Sequence, residues 1–124
     1  MNILNRKYRL VCVCLILAAV TMAVFQRTGG NDFITYDDAT YITENPHVKN
    51  GLNPADMLWA FRTGYASNWH PLTWLSHMTD CEFFGLDAGK HHLVSAGFHT
   101  INSILLLLLL NSLTGNLWAS AFAA

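Results

Sequence analysis

Residues 93–110 read LVSAGFHTINSILLLLLL, an uncharged run that closes on six consecutive leucines, Leu105 to Leu110. Roughly 20 apolar residues cross a bilayer core, with a lower limit near 17, so this run is long enough to span. Upstream, residues 10–25 form a second uncharged run, which Tyr8 and Gln26 extend toward the headgroups. The composition agrees: of 124 residues, 52% are apolar and 12% charged, about half the ~25% charge usual in soluble proteins. The two runs predict an all-α membrane protein with transmembrane helices at about residues 8–26 and 90–113. Residues 1–26 form a cytoplasmic tip and first helix, residues 27–89 an extracytoplasmic loop, and residues 90–113 the second helix. Residues 114–124 are a turn and the stub of a third apolar helix, an ending expected of the N-terminal part of a longer protein.

Charge sets the expected orientation. Arg6, Lys7 and Arg9 precede the first run. Positive residues stay on the cytoplasmic side, which puts the N-terminus inside and residues 27–89 outside. A cleaved signal peptide starts in the same way, with Thr21 and Ala23 as a poor cleavage site. An uncleaved anchor is favoured, because the run is long for a signal core. No other basic patch exists, so nucleic acid is not an expected partner; membrane lipid is. Cys12, Cys14 and Cys81 have no framework spacing and read as free thiols.

The loop carries Trp59, Trp69, Trp74, Phe61, Phe83 and Phe84, too aromatic for a disordered linker. Such rings favour a membrane–water interface, and the loop reads as short helices lying there. One starts at Asn53-Pro54, with Asn53 as cap and Asp56 in its first turn, and runs to about Arg62. Another starts at His70-Pro71 and ends near Gly85, with Trp74, Leu75, Met78, Cys81 and Phe83 at helical spacing. A third follows Asp38 and stops before Asn45-Pro46. On the second spanning helix, His92, Ser95, His99 and Asn102 form one polar stripe suited to packing against further helices.

All eight carboxylates lie between the two apolar runs. The adjacent Asp37 and Asp38 stand just outside the first helix. They can hold a hard cation such as magnesium or manganese, or one can deprotonate a hydroxyl. They read equally as a helix cap and a solvated neighbour. His77 and Asp80 lie three apart on one helix face, which orients an imidazole or makes a polar contact at an interface. His91-His92 is an adjacent pair and a poor chelate. Gly29-Gly30 reads as a flexible exit from the first helix. His70, His77, His92 and His99 are candidate supporting residues.

Three strings carry a resemblance over residues 8–124. The first runs from Phe33 to Pro46 and contains Tyr36-Asp37-Asp38. The second is Asn68-Trp69-His70-Pro71 through His77-Met78, followed by Asp80-Cys81 and Phe84-Gly85-Leu86. The third is His91-His92-Leu93, with His99 and Asn102 after it. The chain resembles the start of bacterial inner-membrane proteins that join a multi-spanning glycosyltransferase-like region to tetratricopeptide repeats. Those are similar to eukaryotic transmembrane O-mannosyltransferases with such repeats. The resemblance implies a GT-C-fold enzyme with a polyprenyl-phosphate sugar donor, a protein hydroxyl as acceptor, and Asp37-Asp38 at its catalytic motif. These 124 residues hold no second loop for the lipid phosphate and no 34-residue repeat, so this portion is expected to be inactive alone. The alternative is a non-enzymatic membrane subunit or scaffold that packs its polar stripe against a larger partner.

Overall fold

The computed structural model describes residues 3–124, with side chains from residue 5 onward. Among the described residues the regular structure is helical and contains no strand. Six α-helices follow one another: α1 (Ile3–Phe25), α2 (Pro46–Lys49), α3 (Pro54–Arg62), α4 (Pro71–Phe84), α5 (Ala88–Thr114) and α6 (Leu117–Ala123). A π-helical turn spans Ala39–Thr43, and 3-10 turns span Gln26–Gly30 and Tyr65–Ser67. The chain forms two compact units, one of residues 28–94 and one of the residues up to Arg27 together with Ser95–Ala124.

The second of these contains the apolar runs. Two stretches, Asn5–Gly30 and Ala88–Thr114, are long and apolar enough to cross a membrane. Only 11% and 17% of their apolar windows are buried, unlike the core helices of a water-soluble domain. Val11, Leu15, Ile16, Val20 and Val24 on α1 are exposed, as are Phe98, Ile101, Leu105, Leu109 and Leu113 on α5. Hydroxyls on these helices turn back on their own backbone. Thr21 donates to the Leu17 carbonyl and Thr100 to the Ala96 carbonyl, each at 2.8 Å. Such back-bonding satisfies a polar group without water or a partner helix.

Helix α1 begins earlier than expected, because Arg6, Lys7 and Arg9 are good helix formers and lie within it. Helix α5 runs to Thr114, one residue past the expected end, and the turn before α6 is Gly115-Asn116. Gly115 adopts φ +67° and its N–H bonds to the Asn111 carbonyl, a left-handed cap. The expected polar stripe is not the buried face of α5. Ala96, Thr100, Ser103 and Leu107 are buried, whereas Ser95, His99 and Asn102 are exposed. Ala96, Thr100 and Ser103 are small, at spacings of four and three, and let the backbone be covered closely, which bulkier imidazoles do not.

Residues 28–94 have a core of their own: Ile42, Val48, Ala60, Trp74, Met78 and Cys81. The loop is therefore a small packed unit rather than a string of separate helices. Helix α4 is its centre, with α2, α3 and the π-helical turn against it. Trp74 and Met78 are fully buried, while Phe83, expected on the same face, is 71% exposed. Helix α2 was not expected. Asn45 accepts from the His47 N–H at 3.0 Å and Pro46 takes the first position, the device that Asn53 and Pro54 use to start α3. The proline that ends one helical turn thus begins the next.

A polar knot joins α2 to α3. Asp56 is buried, and its carboxylate accepts from Asn53 Nδ2, from His47 Nδ1 and, at 3.3 Å, from Asn50 Nδ2. The His47 ring stacks on Trp59 with centroids 4.3 Å apart. Hydrogen bonds from Asn53 and His47 hold the Asp56 carboxyl below its usual range, against the opposing effect of burial.

Two outcomes follow for the purified chain in detergent, read by tryptophan fluorescence. Met78→Ala lowers unfolding stability by about 2–5 kcal/mol, as cavity-forming core truncations do, and Phe83→Ala changes it by less than about 0.5 kcal/mol, as surface changes do. Equal effects would remove α4 from the centre of the core. The Asp56 charge stabilises the fold above its unfolded value of about 3.9, and that contribution is lost as pH falls through its lower folded value. Asp56→Asn is therefore less stable than wild type by about 1.5–3 kcal/mol at pH 7, with the gap narrowing in acid below about pH 4. A gap constant from neutral pH to acid would show that the charge is not used.

Candidate functional site

Besides the His47–Asp56 knot, the 28–94 unit carries two groups of chemistry-bearing side chains, an open groove and a buried cluster beneath the α4–α5 turn. The groove has a volume of about 580 Å³ and is lined by Asp32, Phe33, Ile34, Asp38 and His92, with Gly30 and Asn31 at one end. Beside it two backbones approach closely. A Cβ on Gly89 would collide with the Gly29 carbonyl, so glycine there lets residues 29–33 lie on the first turn of α5. Gly29-Gly30 is accordingly part of a packed 3-10 turn, not merely a loose exit. Phe33 packs edge-on against the rings of His91 and His92, at 5.4 and 6.1 Å.

The two adjacent aspartates differ. Asp37 is exposed, whereas Asp38 is half-buried and lines the groove. Asp38 precedes the π-helical turn but makes no side-chain cap to it. Its Oδ2 instead accepts from the Ile34 N–H at 2.9 Å, four residues back, which closes the 34–38 segment on itself. The capping role open to Asp38 is therefore not the one it plays. His92 points to the same groove, with Nε2 3.4 Å from the Asp32 carbonyl.

The buried cluster is built by α4 and the start of α5. His77 and Asp80, three residues apart on α4, share a face as expected. Helix α4 ends at Gly85, whose φ of +60° reverses the chain and favours glycine. The Gly85 carbonyl then accepts from His91 Nε2 at 2.9 Å. This bond turns the His91 ring inward, so that Nδ1 stands 3.8 Å from Asp80 Oδ2. One donor atom from each of His77, Asp80 and His91 lies within 4.8 Å of the others. Among the described residues this is the group of three histidine, cysteine or acidic donors close enough to share a metal ion, and it includes neither Asp37 nor Asp38.

Burial governs the electrostatics. It pushes the His77 imidazole down to about 4, with repulsion from His91 and His70 adding to the shift and the Asp38 carboxylate opposing it. Burial raises the Asp80 carboxyl, with His91 opposing, and it raises the Cys81 thiol, with Asp80 adding to the effect. Cys81 is thus an inert core thiol.

His70 lies in the aromatic core, 4.7 Å from the Trp74 ring and 5.4 Å from Tyr41. His99 is exposed and belongs to the other unit, where its ring meets Phe25 edge-on at 5.1 Å. Of the expected supporting histidines, His92 is at the groove and His77 in the cluster; His70 is a core residue, though its charge would be felt at His77. Sequence reasoning missed His91. As half of an adjacent pair it is a poor chelate, yet its partners come from α4 through the Gly85 reversal. The signal was the glycine six residues before it, at the end of a helix.

Comparison of the chain with known protein families, with curated proteins and with solved structures finds no match, so the chemistry of the groove and cluster is read from these side chains.

Proposed function

We propose that this chain is the N-terminal membrane part of a GT-C-like glycosyltransferase that takes sugar from a polyprenyl-phosphate donor, with a protein hydroxyl as acceptor. The observation that carries the reading is the half-buried Asp38 carboxylate at the wall of an open groove, close to the exit of the first apolar helix in sequence. Its backbone hydrogen bond fixes one oxygen and leaves the other to accept a proton. In the proposed step Asp38 takes the proton of the acceptor hydroxyl as that oxygen attacks the anomeric carbon, and the polyprenyl phosphate departs with the electrons of the broken bond. Asp38 is therefore the base, and Asp37, exposed beside it, is not. A magnesium or manganese ion at the pair is the alternative use of these carboxylates, drawing on Asp37 and on the oxygen of Asp38 that otherwise takes the proton.

The proposed setting is the bacterial inner membrane, with the N-terminus cytoplasmic and residues 27–89 outside, following the basic residues before the first apolar run. Phe33 and Ile34 at the groove suit a lipid-linked donor, and the exposed apolar residues of α1 and α5 suit a membrane setting. Further membrane helices would supply the site for its phosphate. The exposed Ser95, His99 and Asn102 favour such helices. They also serve the second reading, a non-enzymatic subunit held to a larger membrane partner.

In the full-length protein, Asp38→Asn lowers sugar transfer to a Ser/Thr peptide by about 10²–10⁴-fold, the usual worth of a positioned base, while Asp37→Asn costs less than about tenfold. Full activity in Asp38→Asn sinks the assignment of the base. Absence of transfer by the wild-type protein, together with co-purification of a membrane partner through α5, supports the scaffold reading. For topology, Ser67→Cys reacts with an impermeant maleimide in intact spheroplasts; labelling only after lysis would invert the orientation.

A further inference from the structure

With His91 neutral, the buried cluster holds electron-pair donors that no hydrogen-bond donor of the described residues meets. A carbonyl only accepts, so the 2.9 Å bond to Gly85 fixes the proton of His91 on Nε2. In the neutral ring, Nδ1 then carries a lone pair. That atom is buried without a hydrogen-bond partner, in a residue only 3% exposed. What faces it is another acceptor, Asp80 Oδ2, at 3.8 Å. This is too long for a hydrogen bond, even from a protonated carboxyl. His77 Nδ1 is likewise buried and unpartnered. One donor atom from each of the three residues thus lies within 4.8 Å of the others, and no hydrogen bond occupies Nδ1 of either histidine.

We propose that His77, Asp80 and His91 bind one divalent transition-metal ion, zinc being the best fit. The site is independent of the glycosyltransferase reading and of any cation at Asp37-Asp38. Two imidazoles and a carboxylate suit zinc, whereas magnesium prefers an oxygen shell that retains several waters. The Gly85 carbonyl is the outer partner that a metal-bound histidine commonly has: it holds the tautomer and leaves Nδ1 for the ion. Tetrahedral bonds of about 2.0–2.1 Å place donor atoms about 3.3 Å apart. The Asp80–His91 pair at 3.8 Å is near that spacing, and small side-chain rotations close the rest. The ion joins α4 to the start of α5 across the Gly85 turn. Three protein ligands leave a fourth position for water or another oxygen ligand.

The test uses the untagged 124-residue chain in detergent, with Cys12→Ser and Cys14→Ser to remove the exposed and half-buried thiols of α1. The protein is stripped with chelator and titrated with cobalt(II), then with zinc as competitor. One cobalt per chain is expected, with visible d–d bands, no thiolate-to-cobalt charge-transfer band, and displacement by one zinc. Zinc also raises the thermal midpoint. Asp80→Asn and His91→Ala weaken zinc binding by at least the roughly 10–100-fold that loss of a supporting partner costs, and His92→Ala leaves it unchanged. Asp80→Asn is nearly isosteric and decides the matter if His91→Ala fails to fold. Wild-type protein that takes up no ion at micromolar zinc would overturn the site and leave a buried His91–Asp80 contact. Equal binding by wild type and Asp80→Asn would overturn it as well, as would a thiolate band, which would move the ion to Cys81.

Discussion

Trp74 has the largest fully buried side chain in the molecule, and the loop unit depends on its burial. The indole stacks on Tyr41 at 5.0 Å and meets Trp59, Tyr65 and His70 at 5.4, 6.0 and 4.7 Å. These rings come from the π-helical turn, from α3, from the Tyr65–Ser67 turn and from the residue before α4. One side chain therefore gathers four segments that share no backbone hydrogen-bond ladder. Its Nε1 is buried without a partner, a cost of about 1–3 kcal/mol for an unmet donor, set against the removal of a large aromatic surface from water. With Trp74 fixed, the rotation of α4 is fixed too. His77 and Asp80, one turn and nearly two turns further along, then fall on the side that the start of α5 covers.

Much of this was legible because helix starts are written locally. Asn53-Pro54 and His70-Pro71 mark the starts of α3 and α4, and Gly85 the end of α4, since a cap and a fixed φ act within a few residues. The same code stands at Asn45-Pro46, where the proline reads first as a stop to the preceding turn. Aromatic residues were harder to place. Trp69 is 68% exposed and bonds the Phe61 carbonyl through Nε1 at 3.0 Å, whereas Trp74 is fully buried, and no local pattern separates them. Which of them is the core residue depends on what α2 and α3 bring to α4.

The site was legible by halves. The pair Asp37-Asp38 could be singled out by its place after the first apolar run, but the difference between the two arises from the turn that half-buries Asp38 and leaves Asp37 exposed. His77 and Asp80 are a local pair, readable from spacing three. His91 joins them only after a chain reversal, so its role is a tertiary fact. His99, placed on a stripe with His92 by spacing seven, belongs to a different compact unit, and helical periodicity along one long helix does not reveal that boundary.

Helix α5 has two polar faces with different fates. Ala96, Thr100 and Ser103 are covered within the unit, and Thr100 satisfies its hydroxyl on its own backbone. Ser95, His99 and Asn102 are exposed. A serine can bond back to its own helix, but an asparagine amide carries two donors and an acceptor and cannot do so completely. On insertion into a bilayer, Asn102 would face hydrocarbon with those groups unmet, a cost of several kcal/mol. In the proposed bilayer setting the exposed leucines would face lipid, and Asn102 at the same depth would call for a protein partner. Both demands on one helix are met when α5 lies at the edge of a larger helical assembly, its leucines toward lipid and its His99–Asn102 face toward another helix. Both proposed functions, each set in a membrane, supply such an assembly.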